Sequence, residues 1–181
     1  MKKVLSLIAL VLVATNLSAQ EINWVTLEKA VELQKKNPKK IMIDAYTNWC
    51  GPCKMLDKNT FQNKDVAAYV NKHYYAVKFN AEGDETINFK GNVFKNPSYN
   101  AANANKRNSA HQLASYFSVR SYPTILFLDE QAEFLTPVIG YKTPQQLELY
   151  LKLFTANQHV NMKTQDDFSA YYSAFKPEFS N

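Results

Sequence analysis

The sequence predicts an α/β sandwich in which a mixed sheet carries helices on both faces. Short, mostly apolar runs typical of buried strands alternate with segments of helical period. One strand–helix–strand unit precedes a helix and two further strands, an order that combines parallel and antiparallel pairing. With 181 residues, of which 46% are hydrophobic, the chain can bury one core. Neither wholesale disorder nor a disulfide-stapled miniprotein is therefore expected.

Residues 1–19 have the features of a secretory signal peptide. A basic start, Met1-Lys2-Lys3, precedes an apolar stretch from Val4 to Ala14. This stretch is short for a membrane span, which needs roughly 20 apolar residues, and the remaining alternative is a buried strand or helix. We predict cleavage near Ala19 and a periplasmic or secreted mature protein.

The mature chain would be weakly basic. Loss of Lys2 and Lys3 leaves 19 basic and 16 acidic residues, which lowers the net charge from +5 to +3. The remaining lysines are spread along the chain, and they cluster only at 35–36 and 39–40. Such clusters are typical of a solvated helix end, so no nucleic-acid partner is predicted.

The first half of the mature chain contains two predicted strands. Thr26 can cap the first helix, and Asn37-Pro38 ends it. The apolar run that follows is typical of a strand buried on both faces. The predicted elements are a helix over 24–36, a strand over 41–46, a helical stretch from the cysteines to about residue 71 with a break at 60–63, and a strand over 74–79.

Residues 81–108 interrupt this alternation of predicted strands and helices. The segment contains seven Asn and shows no sustained period of either kind. So long a structureless loop is unusual in a compact domain and is usually functional or mobile. We predict an insert here, after the second strand.

The second half completes the sheet and adds a C-terminal extension. Thr143-Pro144 is typical of a helix start, with Thr as the cap and Pro at the first position. The extension has an aromatic side formed by Phe168, Tyr171, Tyr172 and Phe175, expected to pack on the sheet or the first helix. The predicted elements are a helix capped by Ser109 that ends at Phe117, strands over 125–128 and 134–140, a helix over 143–154, and a last helix over 164–175.

Cys50 and Cys53 are the only cysteines, and they are placed for dithiol exchange. Cys50 lies where a buried strand passes into a helix, and the free N–H groups there favour a thiolate. Cys53 follows one turn later, close enough to form a small disulfide ring. Gly51 leaves the approach to sulfur open, and Pro52 fits the first helical turn. The cycle predicted from this is attack by Cys50 on a partner disulfide, then resolution of the mixed disulfide by Cys53.

The pair has two alternative interpretations. A CxxC can form half of a zinc site, but the chain has no second pair, and His73, His111 and His159 show no ligand spacing. A purely structural disulfide would close too small a loop to stabilise the fold much. No metal and no cofactor is predicted.

The cysteine segment resembles the active site of the thioredoxin family. Residues 44–55 contain Trp-Cys-Gly-Pro-Cys-Lys, the family's motif, and Tyr122-Pro123-Thr124 is similar to its cis-proline loop. Gly140 matches the family's glycine at the end of the last strand. The resemblance covers residues 38–154 apart from the insert and implies a thioredoxin-like α/β/α sandwich. It predicts domains over 1–19 (signal peptide), 20–154 (thioredoxin-like) and 155–181 (C-terminal extension).

The resemblance also implies roles for the surrounding residues. Asp44 matches the buried acid that takes the proton from the second cysteine, and a raised pKa is expected for it. Lys78 aligns with the lysine that partners this acid. Pro123 would hold a cis peptide bond, so that Tyr122 presents its backbone to a partner peptide. Trp49, with Gly51 and Pro52, would belong to the same docking surface.

The resemblance also leads to expectations about the insert and about the direction of electron flow. Residues 83–108 should begin at the sheet edge that carries Cys50, as a lid or docking loop or as a surface insertion without function. The Gly-Pro dipeptide is that of strongly reducing thioredoxins, with potentials of about −270 mV, which favours reduction of partner-protein disulfides. An oxidant or isomerase, and a binding or chaperone module, are the alternatives.

The expected electron donor follows from the absence of cofactor-binding motifs in the sequence. The chain carries no nicotinamide or flavin motif, so the electron donor is expected to be another, membrane-bound protein. The Thr60-Phe61 step resembles exported bacterial members that move reducing equivalents.

Overall fold

The computed structural model describes residues 21–180, so the predicted signal peptide and its cleavage site lie outside the described residues. The strands are β1 Trp24–Val25, β2 Lys40–Tyr46, β3 Tyr74–Asn80, β4 Ile87–Phe89, β5 Asn92–Phe94, β6 Thr124–Leu128 and β7 Phe134–Ile139. The helices are α1 Leu27–Gln34, α2 Gly51–Leu56, α3 Lys64–His73, α4 Gln112–Tyr116, α5 Pro144–Thr155 and α6 Gln165–Ala174. A π-helical turn, Asp57–Phe61, joins α2 to α3 near the predicted break.

A five-stranded mixed sheet forms the centre, in the order β1-β3-β2-β6-β7. β3 pairs in parallel with both β1 and β2, while β6 pairs antiparallel with β2 and β7. The predicted mixed sheet is therefore confirmed. A separate hairpin, β4-β5, lies within the insert.

Helices cover both faces of the sheet, as predicted. The core on one face contains Leu27 of α1 and Leu113 of α4. The core on the other face contains Leu56 of α2, Val66 of α3 and Leu147 of α5. β2 is buried along nearly its whole length because it is covered on both faces. Among the helices between residues 21 and 180, none is both long and apolar enough to cross a membrane.

The start of the first helix was predicted too early. Trp24 and Val25 pair in parallel with Ala76 and Val77, so they form an edge strand rather than helix. Thr26 keeps its predicted role, because its side chain accepts a hydrogen bond from the Lys29 N–H and caps α1. The partner of this short strand is β3, which is about 50 residues away in the sequence and which local sequence could not reveal.

The insert is folded, and the prediction of a structureless segment was wrong. β4 and β5 join through Lys90 and Gly91, which have φ of 50° and 77°. A two-residue hairpin turn of this type requires positive φ at both positions, and Gly91 meets that need without strain. Ile87 and Phe89 are buried in the core that contains α1. The alternation of apolar side chains around Gly91 was the available signal.

Polar contacts fix both ends of the insert. The buried Asn96 amide donates to the carbonyls of Gly83 and Ser109. Buried His111 accepts from the Leu113 N–H through Nδ1 and caps α4, so the predicted cap at Ser109 was wrong. Its Nε2 lies 2.8 Å from the Glu85 carbonyl, which assigns the proton to Nε2. His111 rather than Ser109 caps the helix because its ring is buried at the point where α4 begins.

The C-terminal extension packs on the α3 and α5 side of the sheet, against the core there, so of the two predicted alternatives, the sheet or the first helix, only the first helix was wrong. Phe168 stacks on Tyr150 of α5, and Tyr171 donates a hydrogen bond to the Leu149 carbonyl. The segment after α6 is held by Glu148, a fully buried carboxylate that accepts from backbone N–H groups of residues 178 and 179.

Candidate redox site

Cys50 and Cys53 form a disulfide at the start of α2. Cys50 is the N-cap residue, and its sulfur accepts a hydrogen bond from the Cys53 N–H at 3.1 Å. An N–H aimed at this sulfur favours a thiolate on Cys50 once the pair is reduced. The two residues are 2% and 5% exposed, so exposure does not distinguish them, whereas only Cys50 has the N-cap geometry.

The two residues between the cysteines keep the sulfurs approachable. Pro52 lies in the first turn of α2, where its missing N–H costs no hydrogen bond. Both Gly51 and Pro52 are exposed, and a Cβ added at Gly51 would meet no atom within 4 Å. The space above the disulfide is therefore open.

Asp44 lies in β2, behind the cysteines, and is 1% exposed. It is in register with Lys78 on β3 and Ile125 on β6. Its oxygens accept no hydrogen bond from the residues that the structure describes, although Oδ2 lies 3.3 Å from Lys78 Nζ. Burial raises the pKa of Asp44 to about 6, against the opposing effect of Lys78. The expected raised pKa therefore agrees with the burial of this side chain.

Lys78 bridges two carboxylates, because it pairs with Asp57 as well as with Asp44. Its ammonium also lies 4.9 Å from the Trp24 ring centroid and 5.4 Å from that of Tyr46. Burial lowers the pKa of Lys78, but the two carboxylates outweigh it, so the pKa lies above its ordinary value. The site thus has two acids sharing one cation.

Asp57 was missed by the sequence analysis. It lies four residues after Cys53, so it follows that cysteine on the same side of the helical segment, and this spacing was the available signal. Asp57 raises the pKa of Asp44 through charge repulsion, as the smallest of the contributions.

A small cavity connects these groups. It has a volume of about 230 Å³. Neither Asp44 nor the Thr47 hydroxyl, both buried in its wall, has a hydrogen-bond partner among residues 21–180. A polar cavity of this size admits water. Its lining residues are Asp44, Tyr46, Thr47, Asn48, Cys53, Lys54, Asp57 and Lys78.

The Tyr122–Pro123 peptide bond is cis, as the resemblance implied. Tyr122 meets the Trp49 ring edge-on at 5.9 Å between centroids, which brings this loop beside the cysteine motif. Gly140, with φ of 82°, donates from its N–H to the Pro123 carbonyl at 2.8 Å. Burial, together with the nearby Glu82 carboxylate, raises the pKa of Tyr122 to about 12, so its hydroxyl stays neutral.

Residues of the insert also lie beside the cysteine motif, and their sequence pattern did not single them out. Glu82 accepts from the Trp49 indole N–H at 2.7 Å, and Asn48 donates to the Ala104 carbonyl at 2.9 Å. Arg107 lies over the Trp49 ring, 4.7 Å from its centroid. Part of the insert therefore lies beside the cysteine motif, while its hairpin lies against α1.

Comparison with known proteins identifies the family. A family model described as a thioredoxin-like domain matches residues 27–155. The chain belongs to the thioredoxin-like family. Its fold and its cysteine pair, closed as a disulfide, agree with this family, which confirms the resemblance found in the sequence.

Relatives of this thioredoxin-like protein include two that are named thiol:disulfide interchange protein DsbD. The protein from Photorhabdus laumondii subsp. laumondii is 29% identical over 111 residues, which cover 61% of this chain and 15% of the relative. The one from Haemophilus ducreyi is 30% identical over 138 residues, covering 75% and 20%. The matches therefore span a fifth or less of these relatives.

Solved structures also resemble this thioredoxin-like chain. A thioredoxin-fold protein from Helicobacter pylori superposes with a TM-score of 0.52 at 22% identity, covering 76% of this chain and 82% of that chain. At this identity the likeness shows the fold.

Proposed function

We propose that this protein is an exported thiol–disulfide oxidoreductase that reduces disulfides of partner proteins. The observation that carries the proposal is the Cys50–Cys53 disulfide at the start of α2, with buried Asp44 behind it and the Tyr122–Pro123 loop beside it. This arrangement supplies a nucleophile, a resolving thiol, a proton acceptor and a docking surface.

Reduction proceeds by two sulfur exchanges. The Cys50 thiolate attacks one sulfur of the partner disulfide, forming a mixed disulfide and releasing the other partner sulfur as a thiolate. The Cys53 thiolate then attacks Cys50 sulfur, which releases the second partner thiolate and closes the Cys50–Cys53 disulfide. Two electrons pass to the partner, and the structure describes the oxidised protein that remains.

Asp44 is the proposed acceptor of the Cys53 proton. A base with a pKa of about 6 is available at neutral pH without being extensively protonated. Asp44 and Cys53 line the same cavity, so water there gives the proton a path between them. Lys78 stabilises the charged form of Asp44, and Asp57 limits that stabilisation by sharing the same ammonium.

The docking surface is proposed to consist of Trp49, Gly51, Pro52, Tyr122 and Pro123. Residue 122 precedes β6 at the sheet end that carries the cysteines, since Thr124 pairs with Ala45. Its backbone is therefore suited to strand-like pairing with an extended partner segment. The exposed Gly51 and Pro52 leave room for that segment above the sulfurs.

Export and the electron donor are further parts of the proposal. The support for export is the basic and apolar start of residues 1–19, which would leave a mature domain from residue 20. The names of the DsbD relatives, thiol:disulfide interchange protein, favour a donor that is itself a dithiol protein. We propose a membrane-bound reductase in this role.

The direction of electron flow is tested by the midpoint potential of the cysteine pair against glutathione. A value near −270 mV, the thioredoxin figure, is expected for a reductase. A value between about −180 and −120 mV would instead indicate an isomerase or oxidant. Failure to reduce any protein disulfide would indicate a binding or chaperone module.

The roles of the cysteines are tested by trapping. Cys53→Ser should accumulate mixed disulfides on Cys50, because the resolving thiol is absent. Cys50→Ser is the matched control and should trap few partners. Equal trapping by the two variants would contradict the assignment of Cys50 as the nucleophile.

A further inference from the structure

Glu82 ties the insert to the cysteine motif. One carboxylate oxygen, Oε2, accepts two hydrogen bonds, from the Trp49 indole N–H at 2.7 Å and from the Asn108 backbone N–H at 2.8 Å. The two donors are far apart in the sequence, yet they share this acceptor. Glu82 therefore fixes the indole and the end of the insert relative to each other.

Residues 104–108, here called the motif loop, lie against the two residues before Cys50. The Asn48 amide donates to the Ala104 carbonyl at 2.9 Å. The Arg107 guanidinium lies 4.7 Å from the Trp49 ring centroid, within the range of a cation–π contact. With the contacts of Asn108, these interactions hold the motif loop in place before any partner binds.

The charge of Arg107 is not neutralised within the described chain. No carboxylate of residues 21–180 lies within ion-pair distance of its guanidinium, whereas Glu82 already accepts two N–H groups. Arg107 is also exposed. A guanidinium has five donors suited to a carboxylate, and stacking on an indole leaves those donors at its edge free.

Two further exposed cations are close in sequence to residues of the site. Lys54 follows Cys53 directly, and Arg120 precedes the Tyr122–Pro123 loop by two residues. Both are exposed, and neither pairs with an acid of the described chain. Of these three cations, Arg107 is the one whose position is fixed by a ring contact at the cysteine motif.

We propose that Arg107 is a specificity-determining residue that pairs with a carboxylate beside the reactive cysteine of the partner. The inference rests on the proposed function, since it requires a partner polypeptide docked at the dithiol. Glu82 is a positioning residue in this scheme, because it orients Trp49, on which Arg107 stacks. The preferred substrate is thus a disulfide whose cysteine has an acidic neighbour.

The test uses three synthetic disulfide peptides that differ only in the residue next to the attacked cysteine, which is Glu, Gln or Lys. The reduced mature protein should reduce the Glu peptide about fivefold faster than the Lys peptide at low salt, a size typical of partly exposed charge pairs. Raising the ionic strength should shrink this ratio. In Arg107→Gln the ratio should fall to about one.

Lys106→Gln is the matched control, because it removes the same charge from the neighbouring exposed residue, and the cation–π contact with Trp49 among residues 21–180 is that of Arg107. It should keep the wild-type ratio. Equal loss of preference in both variants would show a diffuse charge effect and overturn the role of Arg107. Glu82→Ala should also lower the ratio and Glu82→Gln should retain it, since an amide oxygen still accepts both N–H groups.

The peptide assay distinguishes a failure of the proposed function from a failure of the Arg107 inference. If the wild-type protein reduces none of the three peptides, the proposed reductase function is wrong. If it reduces all three at the same rate, the function stands and the Arg107 inference is wrong.

Discussion

Asp44 and Lys78 face each other across β2 and β3, and their charged groups lie 3.3 Å apart. The carboxylate is buried, while the ammonium is partly exposed and is shared with Asp57. The pair is consequently unequal: Lys78 does not fully compensate the loss of water around Asp44, and the pKa of Asp44 remains raised, at about 6. This imbalance leads to the first two predictions.

Asp44→Asn should stabilise the oxidised protein at neutral and alkaline pH. The folded-state pKa of Asp44, about 6, exceeds its ordinary value of 3.8, so between these values the folded protein binds more protons than the unfolded chain. Stability therefore falls as pH rises through this window, and the penalty is complete above it. The shift corresponds to about 3 kcal/mol, an upper limit for the gain at pH 8, and almost no gain is expected below pH 4.

Urea unfolding of the oxidised variant and wild type at pH 4, 6 and 8 measures this effect. Asp84→Asn, which removes a charge from an exposed residue of the insert, is the control. A difference between Asp44→Asn and wild type that does not grow with pH would contradict the assignment.

Removal of Asp57 and removal of Lys78 should shift the pKa of Asp44 in opposite directions. In Asp57→Asn the repulsion is lost and Lys78 can pair with Asp44 alone, so the pKa of Asp44 should fall below about 6. In Lys78→Gln the stabilising charge is lost, so the pKa should rise above that value. NMR titration of the Asp44 carboxyl carbon gives both values. Shifts of the same sign would show that Asp57 does not act through Lys78.

Asn96 should be the polar anchor of the insert. Its side chain is 7% exposed and contacts Gly83 and Ser109. Asn96→Ala leaves buried partners without hydrogen bonds, and a loss of about 2 kcal/mol in the free energy of unfolding is expected. Asn92→Ala, at an exposed site on β5, is the matched control and should change it by less than about 0.5 kcal/mol. Denaturant unfolding at pH 7 compares them.

Glu148 should hold the C-terminal segment on α5. The buried carboxylate pairs with Lys152 and accepts N–H groups from Glu178 and Phe179. Glu148→Ala leaves these donors unpaired, so a loss of about 3 kcal/mol and faster proteolysis after residue 174 are expected. Glu178→Ala removes the exposed acid that also pairs with Lys152, and it should leave proteolysis nearly unchanged. Equal cleavage of both variants would place the anchor elsewhere.

The sheet and the dithiol were predictable because local signals specify them. A run such as residues 41–46 is almost wholly apolar, which indicates a buried strand. The residue types of Trp-Cys-Gly-Pro-Cys are by themselves enough to identify the dithiol motif. The insert was not predictable in the same way. The polar residues that fix it, Asn96 and the adjoining His111, bond to the backbone carbonyls of Gly83 and Glu85, 13 and 26 residues away, and no periodicity in the sequence marks those pairs.

The sequence by itself determined the order of the four central strands and their flanking helices and the position of the cysteine pair, because these depend on periodicity and residue type, and the family resemblance pointed to the acid behind the pair. Only the tertiary structure decided how the charges are shared. Asp57 meets Lys78, and Glu82 meets Trp49, across 21 and 33 residues of chain. Such contacts arise from how the sheet and the insert pack, since a carboxylate acquires a partner, and a shifted pKa, only where folding removes water and brings a distant donor near.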